Sequence, residues 1–187
     1  MLLAYAFCGS FCTHSRSLAV LEELVNEGHE ILPVFSEIVQ TTSTRFGDYM
    51  DLEKRVKKLT GHEIIKTIYD AELQITRKNI SCVVVSPCTG NTLAKTANGI
   101  TDSVVTMCIK AQLRNNRPVL LALATNDALS TNLKNIGICS EKKNIYFVPM
   151  GQDDSEEKPT SMICDFKQIK NAISSAIKGK QLQPFLI

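Results

Sequence analysis

The stretch "VVVSPCTGNTLAKTANGITD", residues 83 to 102, decides the fold. Its first three residues are β-branched and apolar, the composition of a strand buried on both faces of a parallel sheet. Pro87 cannot donate to a ladder and is expected to stop that strand. Thr89, Gly90, Asn91 and Thr92 then bring hydroxyls, an amide and free backbone N–H groups to a helix start, which suits an anion. The turn is neither a Walker loop nor the G-x-G-x-x-G of dinucleotide enzymes. A plain strand-to-helix turn accounts for the proline and one cap, but less well for Gly99 interrupting a helix and Asp102 opening the next.

Working outward, five short apolar runs read as strands: residues 2–8, 30–35, 81–86, 118–124 and 144–149. Between the first two, Leu18, Leu21, Leu24 and Val25 share one helical face, and Gly28 closes the helix. Leu52, Val56 and Leu59 repeat that spacing before Gly61 breaks the segment into two helical pieces. Further helices are expected over 92–98, 102–114, from 127 into the 130s, and over 166–178. The alternation predicts one doubly wound α/β domain over 1–187, with a parallel sheet of five or six strands and helices on both faces. "GQDDSEEKPTS", residues 151–161, reads as the one long polar loop.

Hydrophobic residues make up 44% of the 187 and charged residues 21%, an ordinary balance for an α/β protein. Aromatics are 6% with no Trp, which argues against base-stacking platforms, and a dispersed net charge of +2 suggests neither nucleic acid nor an anionic membrane. No apolar run approaches the length of a membrane span. "MLLAYAF" lacks a basic start and a small-residue cleavage site, so it reads as the first strand. Seven cysteines, an odd number mostly in apolar segments, indicate free thiols and a cytoplasmic location. Cys8, Cys12 and His14 lie close together without a second ligand cluster, so no metal is expected.

In an open parallel sheet, ligands bind beyond the carboxyl ends of the strands, where strand order reverses. Gly9-Ser10, Ser36-Glu37, the 86–92 turn, Thr125-Asn126-Asp127 and the loop from Gly151 follow the five expected strands in turn. Gly9-Ser10 permits close backbone approach to a phosphate; the plain alternative is a tight turn with Ser15 as N-cap. Cys88 lies in the central turn and could be reactive, depending on its surroundings.

"PCTGNTLAKTANGITDSVV" resembles the P-x-x-x-N-T-x-x-K-x-A-x-G-x-x-D segment of the flavoprotein family that includes the homo-oligomeric flavin-containing cysteine decarboxylases. Pro87, Asn91, Thr92, Lys95, Ala97, Gly99 and Asp102 match, as do Gly9-Ser10 and Ser36. The resemblance implies a Rossmann-like fold and FMN bound by Gly9, Ser10, Ser36, Pro87, Thr89, Asn91 and Thr92, with Asp102 capping a helix or joining a subunit contact. It also implies a homo-oligomer, trimeric or dodecameric, with the apolar segment 103–113 buried in the contact.

"TSTRFG" (42–47), "RNNRPVLLALATNDAL" (114–129) and "NIYFVPMGQDD" with "KPTSM" (144–162) extend the likeness to a branch of the family found in spore-forming bacteria. That branch implies oxidation of a small dicarboxylate beside a second, different subunit, whose own domain resembles NADP-binding proteins. The decarboxylases carry a catalytic histidine before the third strand, where this chain reads "IIKTIYDAELQIT". Their Pro-x-Met-Asn-x-x-Met-Trp loop is here "LATNDALS", which keeps only Asn126, so cysteine-type decarboxylation is not expected. Asn126 and Arg45 are the catalytic candidates, Arg45 as a bidentate clamp on a substrate carboxylate. The alternative is a non-catalytic subunit that keeps the phosphate-binding turn and supports its NADP-binding partner. Asp153, Asp154 and Lys158 read as a loop at the same edge of the sheet, either solvated, a lid or the partner's docking surface.

Overall fold

Five parallel strands form the centre of the sheet in a computed structural model that describes residues 1–187. They are β1 (Leu2–Phe7), β2 (Glu30–Phe35), β3 (Cys82–Cys88), β4 (Val119–Thr125) and β5 (Ile145–Phe147). Their spatial order is 2-1-3-4-5, so strand order reverses between β1 and β3. These strands are buried almost throughout, which is why they read as continuous apolar runs.

Two further strands, β6 (Met150–Asp154) and β7 (Lys158–Cys164), form an antiparallel hairpin, making seven strands where five or six were expected. The supposed polar loop 151–161 lies within this hairpin. β4 pairs with β5 along its first half, and its end pairs with β7 through Ala124↔Ile163 and Thr125↔Met162. An edge hairpin needs apolar residues on one face only; Met150, Met162 and Cys164 supply it, while the charged tip faces water.

Pro87 does not end β3, which continues to Cys88. Pro87 falls where pairing with β4 shifts register between Val85 and Cys88, a place with no regular ladder for it to interrupt. Seven helices cover the sheet: α1 (His14–Asn26), α2 (Tyr49–Thr60), α3 (Ile68–Arg77), α4 (Gly90–Asn98), α5 (Val104–Arg114), α6 (Leu133–Glu141) and α7 (Ile169–Ile177). Asp48, Thr67, Thr89 and Ser103 cap α2 to α5 with side-chain oxygens. Ser15 is not a cap but lies inside α1, which is entered through a short turn at Phe11–Thr13.

Helix α5 buries Val104, Val105, Cys108, Ile109 and Ala111 within this chain, packing against α3 and the sheet. Those residues therefore serve the core of this chain. Fully buried Phe7 and Phe35 meet edge to face at 5.6 Å, locking β1 to β2 just below the strand ends that form the site. No helix is long and apolar enough to cross a membrane.

Candidate functional site

At the order reversal, the ends of β1, β2 and β3 enclose an open cleft of about 540 Å³. Cys8 and Gly9 form one wall, Ser36 to Ile38 a second, and Thr89, Asn91, Thr92, Lys95, Asp102 and Ser103 the third. A Cβ on Gly9 would stand 3.0 Å from Ile38 Cγ2, so this wall has little room for a side chain.

Ser36 is buried, and its Oγ has no hydrogen-bond partner in the protein. Thr89 Oγ1 accepts from the Thr92 amide at 3.2 Å and lies 3.1 Å from Thr92 Oγ1. That cap leaves the Gly90 and Asn91 amides of the first α4 turn without intrahelical acceptors. Asn91 is exposed at the mouth of the cleft.

Carboxylates attend both helix starts at the cleft, those of α4 and α5. Glu37 Oε1 accepts from the Val104 amide at 2.8 Å, so a charge from the β2 end sits on the start of α5. Asp127, just past β4, lies against Gly90 at the start of α4. The start of α1 has neither an acid in its first turn nor a side-chain cap. Asp102 caps nothing: its Oδ1 accepts from Lys95 Nζ at 2.8 Å, which holds its carboxyl below the usual carboxylate range. His14 Nε2 lies 2.7 Å from the Cys8 carbonyl, which can only accept, so Nε2 carries the proton. Burial lowers the His14 pKa, and the ring packs on Phe7 and Phe11 as a neutral group.

The fold thus brings Gly9, Ser36, Thr89, Asn91 and Thr92 to one cleft, while four other expected residues stand elsewhere. Ser10 turns its hydroxyl to the Ala124 carbonyl at 2.7 Å, tying the first turn to β4. Pro87 is buried behind the turn and lines no part of the cleft. Arg45 is exposed on the β2–α2 loop with its guanidinium 4.8 Å from the Phe46 ring centre, away from the cleft. Asn126 accepts from Thr160 Oγ1 at 2.6 Å through its carbonyl and from Ser161 Oγ at 3.4 Å through its side chain, both from β7.

Cys88 is not a reactive thiol of the turn: it is fully buried, and desolvation raises its pKa well above the ordinary value. Asp153 and Lys158 pair at 3.0 Å across the hairpin, not on a free lid. Sequence reasoning missed the roles of Glu37 and Asp127. Both stood in the strand-end segments, yet nothing local distinguished either from a solvated acid.

Residues 2–178 match the family model described as Flavoprotein. The chain is 43% identical over 185 residues to the B subunit of dipicolinate synthase from Bacillus subtilis, covering 99% of this chain and 92% of that one. The crystal structure of the corresponding B subunit from Bacillus halodurans superposes with a TM-score of 0.91 at 38% identity, covering 100% of this chain and 95% of that one. An FMN-dependent cysteine decarboxylase shares the fold, with a TM-score of 0.66 at 23% identity over 94% of this chain and 97% of that one.

Proposed function

The chain belongs to the flavoprotein family, and we propose that it is the flavin-binding subunit of an enzyme that oxidises dihydrodipicolinate to dipicolinate (pyridine-2,6-dicarboxylate). Ser36 carries this reading. Its buried hydroxyl has no partner, an omission that costs about 1–3 kcal/mol and that a ligand phosphate oxygen would repair. The arrangement of charges supports one orientation of FMN. The phosphate goes to Gly9 and Ser36, where the backbone is bare and a buried hydroxyl is unpaired. The uncharged ring goes toward Thr89, Asn91 and Thr92, because Asp127 already occupies the N-terminal field of α4.

Flavin, when bound, supplies a hydride acceptor for removal of two hydrogens from the dihydropyridine ring. The contribution of this chain is to bind and orient. Desolvation pushes the Cys8 pKa up to about 11 and that of Cys88 well above its ordinary value, so neither thiol in the site offers a nucleophile near neutral pH.

The likeness to the B subunit of dipicolinate synthase supports a partner, the A subunit of the same enzyme, and in this reading NADP sits on that partner. The reading carries with it a role in sporulation, in the cytoplasm of the mother cell, and a homo-oligomeric assembly, trimeric or dodecameric. Arg45, on its exposed loop, remains the candidate clamp for a substrate carboxylate.

A second reading, a non-catalytic subunit that supports the NADP-binding partner, is favoured by one observation. The acids at the cleft are all engaged, Glu37 by α5 and Asp102 by Lys95, which leaves no free base. Titrating the purified chain with FMN, alone and with the NADP-binding partner, and following flavin fluorescence separates the two. Saturable binding that Ser36→Ala weakens about tenfold or more supports the flavin-binding reading. No binding in either condition overturns it and leaves the accessory role.

A further inference from the structure

Asp127 does not line the cleft, yet both its carboxylate oxygens are engaged. Oδ1 accepts from Thr125 Oγ1 at 2.6 Å and Oδ2 from Asn132 Nδ2 at 2.8 Å. Asn132 is buried, and its own oxygen accepts from Asn135 Nδ2 at 2.8 Å. None of these groups can turn away without leaving a polar atom unpaired in or beside the core. The far end of the network already leaves Asn135 Oδ1 without a partner, a cost that core packing alone does not require.

Gly90, the first residue of α4, lies directly on this cluster. A Cβ there would stand 2.6 Å from Asn132 Nδ2 and 2.7 Å from both Asp127 Oδ1 and Thr125 Oγ1. Its φ is not positive, so close approach and not conformation demands glycine. The Asp127 carboxylate bonds both of the other two side chains, Thr125 through Oδ1 and Asn132 through Oδ2, and the three form a plate that sets the height of the first α4 turn. Ser10 and the β7 residues Thr160 and Ser161 brace the same segment through the Ala124, Asn126 and Thr125 carbonyls.

We propose that Asp127 is a positioning residue for the flavin turn. Through Thr125, Asn132 and Gly90 it holds Thr89 and Asn91 where the ligand requires them. The inference rests on the flavin-binding reading above and adds a residue that touches only the turn, not the ligand.

The test is a double-mutant cycle on FMN affinity with Asp127→Ala and Gly90→Ala, with the melting temperature of each apoprotein recorded alongside. Each single variant is expected to weaken FMN about tenfold, and the double no further, because both act through one contact. Asp127→Asn, which keeps the shape and one acceptor, falls between. Losses that multiply in the double variant overturn the proposal, and so does wild-type affinity in Asp127→Ala. Should Asp127→Ala fail to fold, wild-type affinity in Asp127→Asn overturns it instead. If the wild-type chain binds no FMN, the flavin-binding reading itself falls, before any variant is compared.

Discussion

The turn after β1 and the turn after β3 both border the cleft, and they are prepared in opposite ways. The start of α4 has a threonine cap and a carboxylate beside its first residue. The Cys8-Gly9 turn carries neither, and the orphaned Ser36 hydroxyl lies in the neighbouring cleft wall. A helix N-terminus attracts negative charge until a carboxylate supplies it. Two turns that both read as phosphate-binding in the sequence are thus unequal in the fold, the turn after β1 carrying the less negative charge.

The most direct way to break this comparison is Gly90→Ala, which drives a methyl group into three side chains held together by the Asp127 carboxylate. A loss of about 2 kcal/mol in urea unfolding is expected. An unchanged midpoint would mean that the plate yields, and the contrast between the two turns would lose its steric basis.

Ser36→Ala sharpens the comparison from the side of the turn after β1. Beyond its weaker FMN binding, removing an unpaired buried hydroxyl should raise apoprotein stability by about 1 kcal/mol. A calorimetric melt that instead shows destabilisation would mean that the hydroxyl is satisfied without a ligand. Glu37→Gln should cost about 0.5–1 kcal/mol at the start of α5, while FMN binds roughly twofold more tightly because a negative charge leaves the rim. Tighter binding that vanishes at high salt would confirm its electrostatic origin.

The smallest effects concern the thiols. Brief alkylation of the native chain at pH 8 should label Cys12 and spare the six buried cysteines, as read by mass spectrometry. Cys8 and Cys139, both pushed up to about 11 from 9.0 by burial, favour the folded state while protonated. Stability should therefore hold below pH 9 and decline as pH rises toward 11. A flat alkaline profile would show that these thiols exchange with solvent.

Much of the architecture was legible because buried strands and amphipathic helices have local signatures. Residues 30–35 coincide with β2, and Gly61 and Gly99 end α2 and α4 in left-handed conformations. The hairpin was hidden because an edge element keeps few apolar residues, and its polar tip read as a loop. The cleft residues Gly9, Ser36, Thr89, Asn91 and Thr92 were found through strand ends and the family pattern. Ser10, Pro87, Arg45 and Asn126 were placed by the same reasoning, yet a backbone carbonyl, the core, an exposed loop and β7 hold them instead.

By itself, then, the sequence determined the alternation of strands and helices and the turns beyond the carboxyl ends of the strands. Each depends on neighbours a few residues apart along the chain. Only the tertiary structure decided which helix starts receive a charge and why residue 90 must be glycine. Glu37 meets Val104 across 67 positions, and Gly90 meets Asp127 across the β3–β4 step of the sheet. Those pairings follow from the order 2-1-3-4-5, which the pattern of any single segment does not contain.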